Sequence, residues 1–198
     1  MRLFYTGNSP YARRARIAAR TDGLAVEEID VAPLAVEDHA LLRQGPGAKV
    51  PGLQTDSGGY LCETLIITRY LNDQAGGRLM PDDPAAMEAA LELEGIGSLL
   101  MDSLFLRAHE NRREPGEQST ALKDKERQRA ERCYDALDSR LTGQPAVINL
   151  ATIAAIAALG YADWRHAGDE WRVGREGLAA WFDEMMKYPS VAETYPVF

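Results

Sequence analysis

The alternation of apolar and polar residues along the first third of the chain predicts short strands and helices. Apolar runs at 3–5 and 26–29 predict two strands, and a helix is predicted over 10–20 between them. Ser9 and Pro10 favour a helix start, the serine as a cap and the proline in the first turn. Because a helix joins the two strands, we expect them to be parallel, with a right-handed crossover.

A hairpin followed by a helix is the most informative part of the pattern. Residues 52–55 and 60–62 read as strands, and the segment 56–59 between them has turn residues. Apolar residues then recur at helical spacing: Ile66, Ile67, Tyr70 and Leu71. Glu63 and Thr64 therefore open a helix, with Glu63 well placed for the positive end of its dipole.

The pattern also predicts two domains of different class. With a weaker helix at 34–43, the order over 1–75 is β-α-β-α-β-β-α, which predicts an α/β domain. Residues 72–84 are rich in Gly, Asp and Pro and lack apolar periodicity, which is typical of a linker. The pattern over 84–198 is helical throughout, so we predict an all-α domain there.

Helical segments in the second half differ in how much of their surface is apolar. The segments at 85–113 and 178–186 have apolar residues at helical spacing. A charged segment beginning at Ser119 or Thr120 acquires an inward apolar stripe only near its end. The segment 149–159 is apolar on every side, so we expect it at the centre of the second domain.

Composition and charge restrict the class of protein. The 198 residues are 45% hydrophobic and 26% charged, as is ordinary for a globular protein, and carry a net charge of −8. This acidic balance argues against a nucleic-acid partner and gives no reason to expect attachment to an anionic membrane. We find no transmembrane stretch and no secretory signal, so we expect a cytoplasmic protein.

Cysteine, histidine and arginine residues indicate neither a metal centre nor a basic binding patch. Cys62 and Cys133 are far apart in sequence, and both are expected to be small buried apolar residues. The histidines lack the paired spacing of metal ligands and are expected at the surface or in a pocket: His39, His109 and His166. Four arginines of the first helix are expected to form a solvated face: Arg13, Arg14, Arg16 and Arg20.

The start of the helix after the hairpin suits an anion. A helix N-terminus has backbone N–H groups without intrahelical partners, and Thr64 adds a hydroxyl, so the site favours a carboxylate. Val50 precedes Pro51 and is biased toward extended geometry. About 5% of bonds before proline are cis, so residue statistics predict a trans bond; a cis bond would turn the backbone of Val50 toward a peptide-like ligand.

These residues closely resemble the glutathione-binding half of glutathione transferases. The likeness lies in Lys49-Val50-Pro51-Gly52-Leu53, a Gly-Gly turn, and Leu61-Cys62-Glu63-Thr64 before an apolar helix. It implies a thioredoxin-like first domain, a cis bond before Pro51, and glutathione as co-substrate. Val50 would pair through its backbone with the cysteinyl part, Glu63 and Thr64 would bind the γ-glutamyl group, and Lys49 would neutralise the glycine carboxylate.

Three positions depart from the family pattern. Thr64 stands where serine is more usual, but it keeps the hydroxyl donor. In the second half, family members begin the apolar helix with a hydroxyl cap and an acidic third residue. Here Asn149 and Thr152 stand in those places, so we expect the cap without the return bond of a full capping box.

Three residues could contact the glutathione thiol, which reacts as the thiolate and has an ordinary pKa of about 8.5. Ser9 would offer a hydrogen-bond donor at the positive end of a helix, which stabilises the anion. Cysteine-using relatives place the reactive residue directly before the matching proline, which is Ser9 here. Some serine-using relatives place it two residues before, which is Asn8. Tyr5 is a third candidate because other members use an early tyrosine, although its strand position favours the core.

The resemblance thus predicts a homodimeric cytosolic glutathione transferase whose bound thiolate attacks a small electrophile. The helical domain would hold the second-substrate pocket, with these candidate lining residues: Tyr11, Met101, Phe105 and His109. Alternatives are a non-catalytic binding or regulatory module, a glutathione-dependent isomerase or dehalogenase, and a thiol oxidoreductase. The last requires a cysteine where Ser9 stands, and the intact binding set favours an enzyme over a module.

Overall fold

The computed structural model describes residues 1–31 and 40–196, which divide into two compact units. The first unit comprises the described parts of 1–81 and of 189–198, and the second comprises 82–188. The sequence places residues 189–198 in the helical domain, whereas in the structure the described part of this segment packs with the first unit. None of the helices in the described residues is long and apolar enough to span a membrane.

Among the described residues of the first unit, four strands form one mixed sheet. They are β1 (Arg2–Tyr5), β2 (Glu27–Asp30), β3 (Gly52–Gln54) and β4 (Tyr60–Cys62), in the order β2-β1-β3-β4. β1 and β2 are parallel, and β3 is antiparallel to both of its neighbours. The predicted strands, their directions and the thioredoxin-like fold class are confirmed.

Helices α1 (Pro10–Thr21) and α2 (Thr64–Gln74) belong to this unit. Their inward residues form a core with the sheet: Leu3, Ala15, Ala19, Leu53, Ile67 and Leu71. Ile66 is one of the apolar residues at helical spacing that predict α2, and it is 55% exposed. The helix predicted at 34–43 lies largely outside the described residues, and its end at Ala40–Arg43 is a 3₁₀ turn.

Three of the four arginines of α1 are buried and Arg20 is partly buried, so the prediction of a solvated face is wrong. Arg13 and Arg14 are each 2% exposed and Arg16 is 7% exposed. The Nε atoms of Arg16 and Arg20 donate to the two carboxylate oxygens of Glu28, at 2.7 and 2.6 Å. Burial by itself would raise the pKa of Glu28, but these hydrogen bonds outweigh it and hold the pKa below its ordinary value.

The second unit is helical, as predicted. Its helices are α3 (Pro84–Glu110), α4 (Thr120–Leu141), α5 (Leu150–Arg165) and α6 (Glu176–Met185). α5 is buried continuously from Leu150 to Ala162, which confirms its central place. A full capping box begins α5, contrary to expectation: Asn149 Oδ1 accepts from the Thr152 N–H, and Thr152 Oγ1 accepts from the Asn149 N–H, both at 2.9 Å. A threonine hydroxyl can therefore replace the carboxylate that closes such a box.

Gly97 of α3 lies against the backbone of α5. A Cβ atom at this position would lie 2.9 Å from the carbonyl carbon of Ala154 and from the nitrogen of Ala155. Because backbone atoms cannot yield as a flexible side chain can, we expect Gly97→Ala to lower the free energy of unfolding by about 1–3 kcal/mol. Gly95→Ala is the control, since no atom lies within 4 Å there and alanine should add about 1 kcal/mol of helix propensity. Urea denaturation showing the same sign for both variants would contradict this packing.

His166 is 6% exposed, so it does not lie at the surface, which was one of the two places expected for it. Its Nε2–H donates to the carbonyl of Leu104 at 2.9 Å. Burial, followed by the positive charge of Arg107, lowers the pKa of His166.

A lowered pKa for His166 makes stability depend on pH in a defined direction. As the pH falls through about 6.5, the unfolded chain binds a proton that the folded chain does not yet bind. The titration of His166 therefore costs no stability above about pH 6.5. The free energy of unfolding falls as the pH drops from there toward the folded-state pKa. We expect His166→Asn to lose less stability than the parent between about pH 7.5 and about pH 5.5 in urea denaturation. An equal loss would contradict the assignment.

Candidate active site

Three stretches of chain meet at one end of the sheet. Phe4 of β1 lies opposite Gly52 of β3, and Gly52 lies opposite Cys62 of β4. Because neighbouring antiparallel strands run in opposite directions, the residues after β1, before β3 and after β4 share that end. These stretches carry the predicted site residues: Asn8 and Ser9; Lys49, Val50 and Pro51; Glu63 and Thr64.

The peptide bond between Val50 and Pro51 is cis. The trans bond expected from residue statistics is therefore wrong, and the cis bond implied by the family resemblance is confirmed. Pro51 is buried, Val50 is partly buried, and Lys49 is exposed. The lysine charge thus lies in solvent, directly before Val50.

Glu63 and Thr64 form the junction between β4 and α2. Glu63 has φ 74, a left-handed conformation that is uncommon outside glycine. Its Oε1 atom accepts a hydrogen bond of 2.7 Å from the Leu65 N–H, so it caps α2. Thr64 is the first residue of the helix and is 7% exposed. A carboxylate and a hydroxyl residue therefore stand together where the helix N-terminus has unsatisfied N–H groups.

Ser9 and Asn8 hold the loop between β1 and α1. Ser9 Oγ accepts from the Ala12 N–H at 3.2 Å, which confirms Ser9 as the N-cap of α1. This bond uses the oxygen as an acceptor and leaves the hydroxyl hydrogen able to donate. The side chain of Asn8 is exposed, and its Oδ1 accepts from the hydroxyl of buried Thr6 at 2.9 Å. The amide NH₂ of Asn8 is thus its remaining donor.

Comparisons with known proteins show the family of the chain. Residues 3–79 match the family model described as the glutathione S-transferase N-terminal domain. A glutathione transferase family member from Pseudomonas fluorescens Pf-5, solved with bound glutathione, is 30% identical and has a TM-score of 0.87; the match covers 100% of this chain and 99% of that one. The chain belongs to the glutathione S-transferase family.

Two further relatives extend the comparison over the whole chain. A glutathione S-transferase from Methylobacillus flagellatus, solved with glutathione bound, is 29% identical with a TM-score of 0.92, and the match covers 99% of both chains. The uncharacterized GST-like protein YibF of Escherichia coli is 28% identical over 99% of this chain and 98% of its own length. The likeness to glutathione S-transferases therefore includes the helical unit as well as the sheet.

In this family member, the ring of Tyr5 packs against an arginine of α1. The guanidinium carbon of Arg16 lies 4.0 Å from the centre of the Tyr5 ring, and Arg16 in turn is bound to Glu28. Arg16 lies about two helical turns beyond the start of α1. These contacts favour a structural role for Tyr5 over contact with a thiol near Ser9.

Two residues that support the site were not predicted from the sequence: Thr6 and Tyr60. Thr6 orients Asn8, and the only sequence signal for it is a polar residue directly after a strand. The ring of Tyr60 packs over Gly45 and Gly52, where an added Cβ would collide with it. Burial raises the pKa of the Tyr60 phenol. The requirement for glycine beside this ring becomes visible only when the hairpin is folded.

Cys62, beside the site, is exposed rather than buried as predicted, whereas Cys133 is buried. The short strand β4 lies at the edge of the sheet, so its last residue is not covered by a further strand. Within residues 1–31 and 40–196, no group of three or more His, Cys, Asp or Glu side chains could hold a metal ion.

Three candidates for the second-substrate pocket lie at four-residue spacing on α3. Met101 is buried, Phe105 is partly buried, and His109 is exposed. The rings of Phe105 and His109 are in contact, with centroids 3.9 Å apart. Tyr11, the fourth candidate, is partly buried in α1 of the first unit. The spacing places these three side chains on one face of α3.

Proposed function

We propose that this chain is a glutathione transferase that binds glutathione at the end of the sheet formed by these three stretches. Glu63 and Thr64 would bind the γ-glutamyl group, the backbone of Val50 would pair with the cysteinyl part, and Lys49 would neutralise the glycine carboxylate. The observation that carries the proposal is the register, which brings this set and Ser9 to one end of the sheet. The bound glutathione of the Pseudomonas fluorescens relative supports it.

Ser9 supplies the chemistry of the thiol in this proposal. Its hydroxyl donates a hydrogen bond to sulfur at the positive end of α1, which favours the thiolate and lowers the pKa of the bound thiol. The thiol proton leaves to solvent, and the thiolate sulfur forms a bond to an electrophilic carbon. A leaving group departs with its electron pair, or an activated double bond accepts the pair and is then protonated. The electrophile would bind in a pocket of the helical unit.

The test combines binding and turnover on the purified chain. We expect retention on immobilised glutathione, elution by free glutathione, and conjugation of glutathione to a chromogenic electrophile. Retention without turnover would instead support the non-catalytic binding module, and absence of both would overturn the proposal. A thiol oxidoreductase is disfavoured because Ser9 occupies the position where that activity needs a nucleophilic cysteine.

We further propose that the protein acts as a homodimer in the cytoplasm. Three leucines of α3 are 47, 52 and 42% exposed at spacings of eight and seven residues, which places them on one side of the helix: Leu91, Leu99 and Leu106. An exposed apolar stripe of this kind favours a protein contact. Light scattering should give twice the mass of a single chain, and a monomer at micromolar concentration would contradict the dimer.

A further inference from the structure

The end of the chain is built into the first unit beside α1. Helix α7 (Pro189–Ala192) begins this segment, and Val191 and Thr194 are 0 and 1% exposed. At the far end of α1, the hydroxyl of Thr21 donates to the hydroxyl of Ser190 at 3.0 Å. The described residues 189–196 therefore belong to the unit that holds the proposed glutathione site and anchor in it through buried residues, although they follow the whole helical unit in sequence.

Arg13 connects this segment to the first part of α1. Its guanidinium Nη2 donates to the carbonyl of Val191 at 3.2 Å, and its guanidinium carbon lies 5.3 Å from the centre of the Tyr195 ring. The hydroxyl of Thr194 donates to the carbonyl of Ser190 at 2.8 Å and lies 3.1 Å from the carbonyl of Val191, so it is shared between the two. Burial lowers the pKa of Arg13 to about 10, with Tyr195 opposing and the like charge of Arg16 adding to the effect, so the side chain stays charged at neutral pH.

The backbone of Arg13 is bonded directly to Ser9. The Arg13 N–H donates to the Ser9 carbonyl at 3.0 Å, while the Ser9 hydroxyl accepts from the Ala12 N–H. Ser9 thus depends on the first turn of α1 for both of these bonds. That turn is held from the other side by the guanidinium of Arg13.

We propose that residues 189–196 act as a clamp on the first turn of α1 that positions Ser9 for hydrogen bonding to the glutathione thiolate, with Arg13 as the positioning residue. This inference rests on the proposed function. Arg13 acts through Ser9, and the hydrogen bond from Ser9 to sulfur is sensitive to small displacements of the turn. Lys49, Glu63 and Thr64, which would hold the charged ends of glutathione, lie outside α1, so loosening the clamp should change the thiol more than the affinity.

The test is the variant Arg13→Met in the full-length chain, which keeps most of the apolar stem and removes the guanidinium. The pKa of the bound thiol is followed through the ultraviolet absorbance of the thiolate as the pH is varied. We expect this pKa to rise by about 0.5–1 unit and kcat at about pH 6.5 to fall about three- to tenfold. The KM for glutathione should stay within about twofold of the parent value.

Thr21→Val is the matched control, because it removes a contact with the same segment at the opposite end of α1. It should lower stability slightly and leave the pKa of the bound thiol unchanged. Should Arg13→Met fold poorly, Tyr195→Leu removes the ring and keeps the guanidinium, and we expect the same direction of shift. A folded Arg13→Met or Tyr195→Leu protein with the parent thiol pKa and kcat overturns the clamp alone. A parent protein without any thiolate signal overturns both the clamp and the proposed function.

Discussion

Ser9→Ala is expected to lower kcat/KM for conjugation by about 100-fold. The hydroxyl of Ser9 is the donor at the positive end of α1. Removing one preorganised hydrogen-bond donor to a reacting anion lowers the rate by about 10²- to 10³-fold. Without it, the bound thiol should titrate nearer to its ordinary pKa, so the loss should be larger at about pH 6.5 than at about pH 8.5. Steady-state kinetics at the two pH values measures both effects.

The variant must be separated from the loss of the helix cap, since Ser9 Oγ accepts from the Ala12 N–H. Loss of a serine cap costs about 1 kcal/mol of stability. Ser9→Asp is the control, because aspartate caps equally well but cannot donate and repels a thiolate. We expect it to restore stability without restoring activity. Activity that instead follows stability would show that Ser9 is only a cap, and a larger loss in Asn8→Ala would make Asn8 the thiol partner.

Much of the fold is predictable because its signals are local. The strand β1, the cap at Ser9 and the hairpin of β3 and β4 each depend on residues close together in the chain. Apolar periodicity likewise places α5 at the centre of its unit, because a helix without a polar side has no solvent-facing option.

One group of errors concerns polar side chains whose partners are distant in sequence. Four arginines on one helix are typical of a solvated face. In the structure, however, Arg13 donates to the carbonyl of Val191, and Arg16 donates to the carboxylate of Glu28. Charge alone gives no sign of burial, because burial of a guanidinium depends on acceptors that other elements supply. The same holds for His166, whose acceptor is a carbonyl on α3. A short contiguous motif, by contrast, identifies Lys49 to Thr64 as a unit before any contact is known.

The cis bond before Pro51 and the exposure of Cys62 mark a second limit of sequence reasoning. The frequency of cis bonds before proline and that of buried cysteine are averages over many proteins, so they do not determine the state of one particular residue. Family resemblance corrected the first because a whole motif was matched. It offered nothing for the second, since edge exposure follows from where β4 lies in the sheet.

Thr64→Val is expected to weaken glutathione binding by about 10- to 100-fold. In the proposed complex the Thr64 hydroxyl binds the charged γ-glutamyl end, and a hydrogen bond to a charged group is worth about 1.5–3 kcal/mol. Valine has nearly the same shape, so the fold should lose little. Calorimetric titration with glutathione measures the change in affinity.

The matched control for Thr64→Val is Thr68→Val, one turn later on the same helix. Thr68 is 1% exposed, and its hydroxyl donates to the carbonyl of Leu65 at 3.2 Å, so it is occupied within α2. Both substitutions remove one hydroxyl from α2, but only the first lies where the helix N-terminus has N–H groups without intrahelical partners. We therefore expect Thr68→Val to change stability and leave affinity within about twofold. If the two variants bound glutathione with equal affinity, the Thr64 hydroxyl would have no specific role, and the γ-glutamyl group would have to bind elsewhere.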